Sequence, residues 1–116
     1  MDKIYKIVED QHNICSRFEV PFCLADPGLM AGISKNFGDT GLPMHGLRHP
    51  LEGTTGWFLW SGEFSEADDF FQTMHLFHLY ESQSPAIPYL GLPPGWRFLL
   101  APDYEDVWFD ESLLEV

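Results

Sequence analysis

The densest apolar run in the chain is Trp57-Phe-Leu-Trp60, framed by Gly56 on one side and by Ser61-Gly62 on the other. A short apolar run between turn residues predicts a buried strand. Beyond it, Ser65 reads as a helix N-cap, with Glu66, Asp68 and Asp69 in the first turn, where carboxylates suit the positive end of the helix dipole. The spacing predicts a helix from Ser65 to about Ser82, with Phe70, Met74 and Phe77 as its apolar stripe. Trp57 and Trp60 fall on opposite faces of their strand and need cover on both sides. The strand is therefore expected at the centre of a sheet, with this helix across one face.

Weaker patterns flank this centre. Ile4 to Val8 is too short a run to separate a strand from a short helix, and Glu9 to Asn13 reads as a polar connection. Phe18 to Ala25 has strand composition, with Pro21 placing its first half at an edge. Asp26-Pro27-Gly28 reads as a turn or helix start, Leu29 to Lys35 as one or two helical turns, and Asn36 to Gly41 as a loop. Leu42 to His49 reads as a weak strand. Four prolines between Ser84 and Pro94 allow only short turns there. Gly95 to Ala101 alternates, with Trp96, Phe98 and Leu100 on one face and Arg97 and Leu99 on the other. After a turn at Pro102-Asp103-Tyr104, Asp106 to Asp110 reads as a final strand paired with it as a hairpin. Val107 and Phe109 share one face of that strand; Asp106, Trp108 and Asp110 share the other. The whole predicts one α+β domain over residues 1–116, an antiparallel sheet with a helix packed on one face.

Composition narrows the partners. The chain of 116 residues carries 18 acidic and 6 basic residues, a formal net charge of −12. Nucleic acid and anionic membrane would both be repelled, whereas a basic protein would be attracted. No apolar run approaches the ~20 residues of a membrane span, and no apolar leader opens the chain. A cytoplasmic location is expected, with Cys15 and Cys23 as reduced thiols.

Candidate chemistry is sparse. His75 and His78 lie three apart on the expected helix, a spacing at which two imidazoles can share a metal. With nearby carboxylates they define an alternative reading, a small metal-dependent hydrolase. His45 and His49 fall in a segment with Gly46 and Pro50, a poor helix. No acid is forced into an apolar pocket, no serine sits in a nucleophile elbow, and Gly91 to Gly95 lacks the lysine of a phosphate loop. No catalytic residue, metal site or cofactor is therefore assigned, and the chain is read as a non-enzymatic binding protein. The C-terminal quarter is more informative. Phe98 to Val116 contains six acids and no base, with Tyr104 and Trp108 among them. Aromatics supply contact area and acids steer encounter, so Tyr104, Glu105, Asp106, Trp108, Asp110 and Glu111 are the candidate partner-binding residues. Arg97 is expected to pair with Asp106 or Asp110 across the hairpin. The excess of large aromatics leaves a homo-oligomer open as a third reading.

The segment Met44-His-Gly-Leu-Arg48-His-Pro50, followed by Thr55-Gly56-Trp57-Phe58-Leu-Trp-Ser61-Gly62-Glu63, resembles the immunity protein 33 family of bacterial polymorphic toxin systems. Cys23-Leu-Ala upstream, and Pro88-Tyr-Leu90 with Gly95 and Phe98 downstream, extend the similarity. It spans about Cys23 to Phe98. The resemblance implies a small cytosolic α+β protein, not an enzyme, that neutralises a partner toxin by binding it.

Overall fold

A computed structural model describes residues 2–38, 43–82 and 84–115. The chain opens with helix α1, Asp2–Arg17. Six strands follow: β1 Met30–Ser34, β2 Met44–Arg48, β3 Trp57–Ser61, β4 Phe71–His75, β5 Trp96–Ala101 and β6 Tyr104–Phe109. A short helix α2, Leu76–Glu81, continues directly from β4. Two 3₁₀ turns, Ile87–Gly91 and Glu111–Leu114, complete the elements. The strands form one sheet in the order β4-β1-β3-β2-β5-β6. The fold is α+β. All pairs are antiparallel except β1 with β3, which run parallel with Gly32 opposite Phe58, so the sheet is mixed.

Strand alternation divides the aromatics between two faces. Trp57, Leu59, Phe98, Leu100, Ala31 and Ile33 point to one side and are buried. The Ile87–Gly91 turn lies on this core face: the Trp57 indole donates to Leu90 O at 3.0 Å and the Tyr89 ring lies 5.4 Å from that of Phe98. Helix α1 packs against the same turn from outside, through Gln11 to Ile87 O at 3.1 Å and the Cys15 thiol to Gly91 O at 3.3 Å. Cys15 and Cys23 are both free thiols. Gly46 lies opposite Phe98 in the β2–β5 register, and a Cβ there would overlap the Phe98 ring. The missing side chain lets that ring lie flat on the sheet.

Arg48 is the centre of the buried polar structure. Pairing with Trp57 turns it to the core face, where it is 5% exposed. Its guanidinium donates to Thr55 O at 2.8 Å, Cys23 O at 2.8 Å, Leu92 O at 2.8 Å and Leu24 O at 3.0 Å, and lies 5.7 Å from the Trp57 ring. It thereby joins three segments that have no ladder of their own to share. Among the described residues no carboxylate pairs with it.

Several local expectations give way to these long-range pairings. The helix expected from Ser65 to Ser82 is instead a loop, strand β4 and the short α2. Met74 and Phe77, two of its three stripe positions, are 37% and 49% exposed. β4 pairs with β1 along its whole length, and that ladder overrides helix propensity. Ser65 accepts from the Ala67 amide at 3.1 Å, closing a turn and not a helix. The helix on the core side is α1, in a region read as undecided and then as a connection. Its buried stripe runs through Gln11, whose amide donates to Tyr80 Oη at 3.2 Å. Leu29 to Lys35, read as helical turns, contains strand β1. Phe18 to Ala25 has strand composition but no strand partner; Arg48 and the Tyr80 hydroxyl, donating to Ala25 O at 2.9 Å, take its carbonyls instead. The loop read at Asn36 to Gly41 lies in its second half, as does the start of the Leu42 strand, outside the described residues. The central position of Trp57–Ser61, the Gly95–Ala101 strand and its hairpin partner are as expected. That partner begins two residues earlier than read, at Tyr104. Asp103 turns the hairpin at φ 60, a left-handed conformation that Asp tolerates better than most residues.

Candidate partner-binding face

The face opposite the core carries Phe58, Trp60, Leu47, His45, Leu99, Arg97 and Trp108, as the strand registers require. Among the described residues no helix lies across its middle. The loop after β3 folds over one end, where Phe64 meets Trp60 edge-on at 5.5 Å and Phe71 at 6.2 Å. At one corner the C-terminal 3₁₀ turn reaches in, with Leu113 O 2.8 Å from His49 Nδ1. Trp60 is buried by its neighbours, stacking on His45 at 4.9 Å with the rings nearly parallel. Phe58, Leu47 and Leu99 stay half-buried, and Phe64 is exposed. The result is an aromatic and aliphatic surface that is open in part.

Acids border this surface on two sides. Glu63, Glu66, Asp68 and Asp69 are exposed on the loop that carries Phe64. Asp106 and Glu111 are exposed at the opposite edge. An apolar centre with a charged border is the layout of a protein-binding patch.

The six residues singled out from sequence are brought to one edge of the sheet but do different things. Tyr104, Asp106 and Trp108 share the open face of β6; Tyr104 and Asp106 are exposed and Trp108 is half-buried. Trp108 lies 5.4 Å from the Arg97 guanidinium, a cation–π contact. Glu105 turns to the other face, where Arg17 and the Tyr89 hydroxyl both bond to its carboxylate. Asp110 is also occupied: it accepts from Arg97 at 3.0 Å, from the Ser112 hydroxyl at 2.6 Å and from the Ser112 amide at 3.1 Å. The expected Arg97 pairing is thus with Asp110. The Ser112 hydroxyl bond first, and Arg97 second, hold the Asp110 carboxyl below the usual aspartate range. Glu111 is exposed in the first turn of the last 3₁₀ segment. Glu105 therefore ties β6 to α1 and the Ile87–Gly91 turn, and Asp110 ties β5 to the last 3₁₀ turn, whereas Tyr104, Asp106 and Glu111 are exposed and Trp108 is half-buried.

Sequence reasoning did not assign Trp60, His45, Leu99 or Phe64 to this face. The signal was available in the Trp57–Ser61 alternation, but choosing which side stays open requires knowing where α1 packs. The His75–His78 pair, behind the hydrolase alternative, has its rings 6.4 Å apart at the β4–α2 junction. Among the described residues no group of three or more His, Cys, Asp or Glu side chains is arranged to hold a metal ion.

His45 gives this face a pH response. Burial first, and the Arg97 charge second, lower its pKa from the ordinary histidine value. The folded state thus favours the neutral ring, and the unfolded chain takes up a proton at higher pH. Stability is expected to decline as pH falls through about 6.5, the ordinary histidine range. His45→Phe is expected to flatten thermal melts between about pH 7 and 5.5 in that same window. An unchanged slope in the variant would remove His45 as the cause.

The sheet thus has one face covered by α1 and the Ile87–Gly91 turn, one face that no helix crosses among the described residues, and exposed acids at two of its borders. The Imm33-like domain model matches residues 10–110, and the chain belongs to the Imm33-like family. The match runs from within α1 to the end of β6 and so includes Arg48, the central strand and the hairpin. Searches among curated proteins and among solved structures gave no match. Among the described residues no helix is long and apolar enough to cross a membrane.

Proposed function

We propose that this protein is an immunity protein that neutralises a partner toxin by binding it in the cytoplasm, without catalysis of its own. The observation that carries the reading is the open face: half-buried Leu47, Phe58, Leu99 and Trp108 form an apolar patch over the buried Trp60, with Asp106 and Glu111 at one border and the acids of the Phe64 loop at another. Membership of the Imm33-like family supports an immunity role. The net charge of −12 favours a basic partner surface, and complementary charge speeds encounter more than it tightens the final complex.

The test uses Tyr104→Ala, Asp106→Lys and Glu111→Lys combined, a variant that spares Glu105 and Asp110 because those two hold the hairpin. Co-expression with a candidate toxin, sought among the products of the neighbouring genes, is the first readout, and association kinetics the second. The wild type is expected to restore growth. The triple variant is expected to associate with that toxin at least ~10-fold more slowly, with the salt dependence reduced, while its melting temperature stays within a few degrees. Full protection and an unchanged association rate in the variant would place the binding surface elsewhere.

A further inference from the structure

The two edges of the sheet are built differently. The β6 edge carries Glu105 and Asp106, and inward or edge charges are the usual protection against unwanted strand pairing. The β4 edge, Phe71-Gln-Thr-Met-His75, contains no carboxylate, lysine, arginine or proline, and four of its five residues are exposed. Among the described residues nothing pairs with its outer side. In a chain with a net charge of −12, a neutral edge lets two copies meet there without like charges in direct opposition.

The backbone polarity of this edge follows from its inner partner. Met30 O accepts from the Thr55 amide at 3.0 Å, so Met30 turns its polar groups toward β3. Leu29 O accepts from the Leu76 amide at 3.0 Å, so Leu29 faces the β4 side. Alternating along the β1–β4 register, Met74 and Gln72 bond inward to Ala31 and Ile33. Phe71, Thr73 and His75 then present their N–H and C=O groups outward.

We propose that two copies of this chain associate through β4, antiparallel about a two-fold axis at Thr73, to join their sheets. In that register Thr73 pairs with its own counterpart, and Phe71 pairs with the second copy's His75 in reciprocal hydrogen bonds. Facing threonines and an aromatic–imidazole pair are favourable cross-strand neighbours. An isologous interface of this kind closes at two subunits and leaves both open aromatic faces free.

Sedimentation equilibrium on the full chain tests this. The interface is small, so association is expected in the micromolar range, with mass rising toward twice the 13.3 kDa chain mass as concentration is raised from about 10 to 500 μM. Thr73→Lys places two ammonium groups opposite each other at the axis and is expected to stay monomeric at every concentration, with an unchanged far-UV spectrum and melt. Thr73→Val, neutral and β-branched, is expected to keep the wild-type association. The Tyr104→Ala/Asp106→Lys/Glu111→Lys variant is expected to keep it as well, which separates this proposal from the toxin-binding one. A wild-type chain that stays monomeric throughout, or a Thr73→Lys chain that still dimerises, would overturn the β4 interface.

Discussion

Replacing Arg48 with methionine is expected to remove a large share of the stability of this fold. The guanidinium is buried and its hydrogen bonds go to main-chain carbonyls of Cys23, Leu24, Thr55 and Leu92. Methionine fills comparable volume but donates nothing. The Thr55 and Leu92 carbonyls lie in buried surroundings, and each unpaired buried acceptor costs about 1–3 kcal/mol. The Cys23 and Leu24 carbonyls are part-buried and add less. Relief from burying a charge offsets some of this, since burial already lowers the pKa of Arg48. A net loss of about 3–5 kcal/mol is expected, against total stabilities of about 5–15 kcal/mol for domains. Arg48→Lys is expected to recover only a minor part, because a single ammonium cannot span carbonyls on three segments. Urea unfolding followed by circular dichroism measures both. A methionine variant with a wild-type midpoint would show that water satisfies those carbonyls.

Trp57→Ala is expected to cost a similar amount by a different route. Trp57 is 0% exposed, contacts Phe98 with ring centroids 5.6 Å apart, and donates its indole N–H to Leu90 O. Truncation loses the buried ring, leaves a cavity between β3 and the Ile87–Gly91 turn, and strips one carbonyl of its donor. Buried Trp-to-Ala changes cost about 3–5 kcal/mol. Trp57→Phe separates the two contributions: it keeps most of the packing but drops the hydrogen bond, so about 1–2 kcal/mol is expected. Should Trp57→Phe prove as damaging as Trp57→Ala, the indole hydrogen bond, and not the volume, would be what holds the turn to the sheet. In both variants the open face is untouched. Partner binding by the folded fraction is therefore expected to persist, whereas the face variants should show the reverse pattern.

The parts of the fold legible from local pattern are those whose signal is short-ranged and unambiguous. Trp57 to Ser61 has turn residues on both sides and nothing but large apolar residues between, and it is the third strand of six in the sheet order. The β5–β6 hairpin shows alternation on both arms around a two-residue turn; the pattern left Asp106 and Asp110 open as partners of Arg97, and the fold pairs it with Asp110, diagonal to it near the open end. Helix α1 was obscured by one residue. Gln11 interrupts the apolar stripe of Ile7, Ile14 and Cys15, yet it is fully buried because Tyr80 and Ile87, far along the chain, supply its partners. The Ser65–Ser82 region misleads in the opposite sense, since helical spacing is present but the parallel β1–β3 pair leaves β1 with an open side for Phe71–His75 to fill.

The candidate site divides in the same way. Acid and aromatic content near the C-terminus is a property of composition, and it named Tyr104, Glu105, Asp106, Trp108, Asp110 and Glu111 together as candidates without separating the exposed from the engaged. That Glu105 and Asp110 are engaged elsewhere depends on Arg17, Tyr89 and Ser112, contacts that need the folded chain.

Read along the chain, the pattern of residues by itself determined which strands form the middle and the C-terminal edge, the α+β class, the acidic character and the family resemblance. Each of these depends on neighbours a few positions apart, where side-chain direction follows directly from backbone geometry. Only the tertiary structure decided which face of the sheet is covered, which acids are engaged, and why an arginine lies buried with main-chain carbonyls as its partners. Those outcomes rest on partners tens of residues apart, and a buried polar group is tolerated only where the whole fold delivers its hydrogen-bond partners.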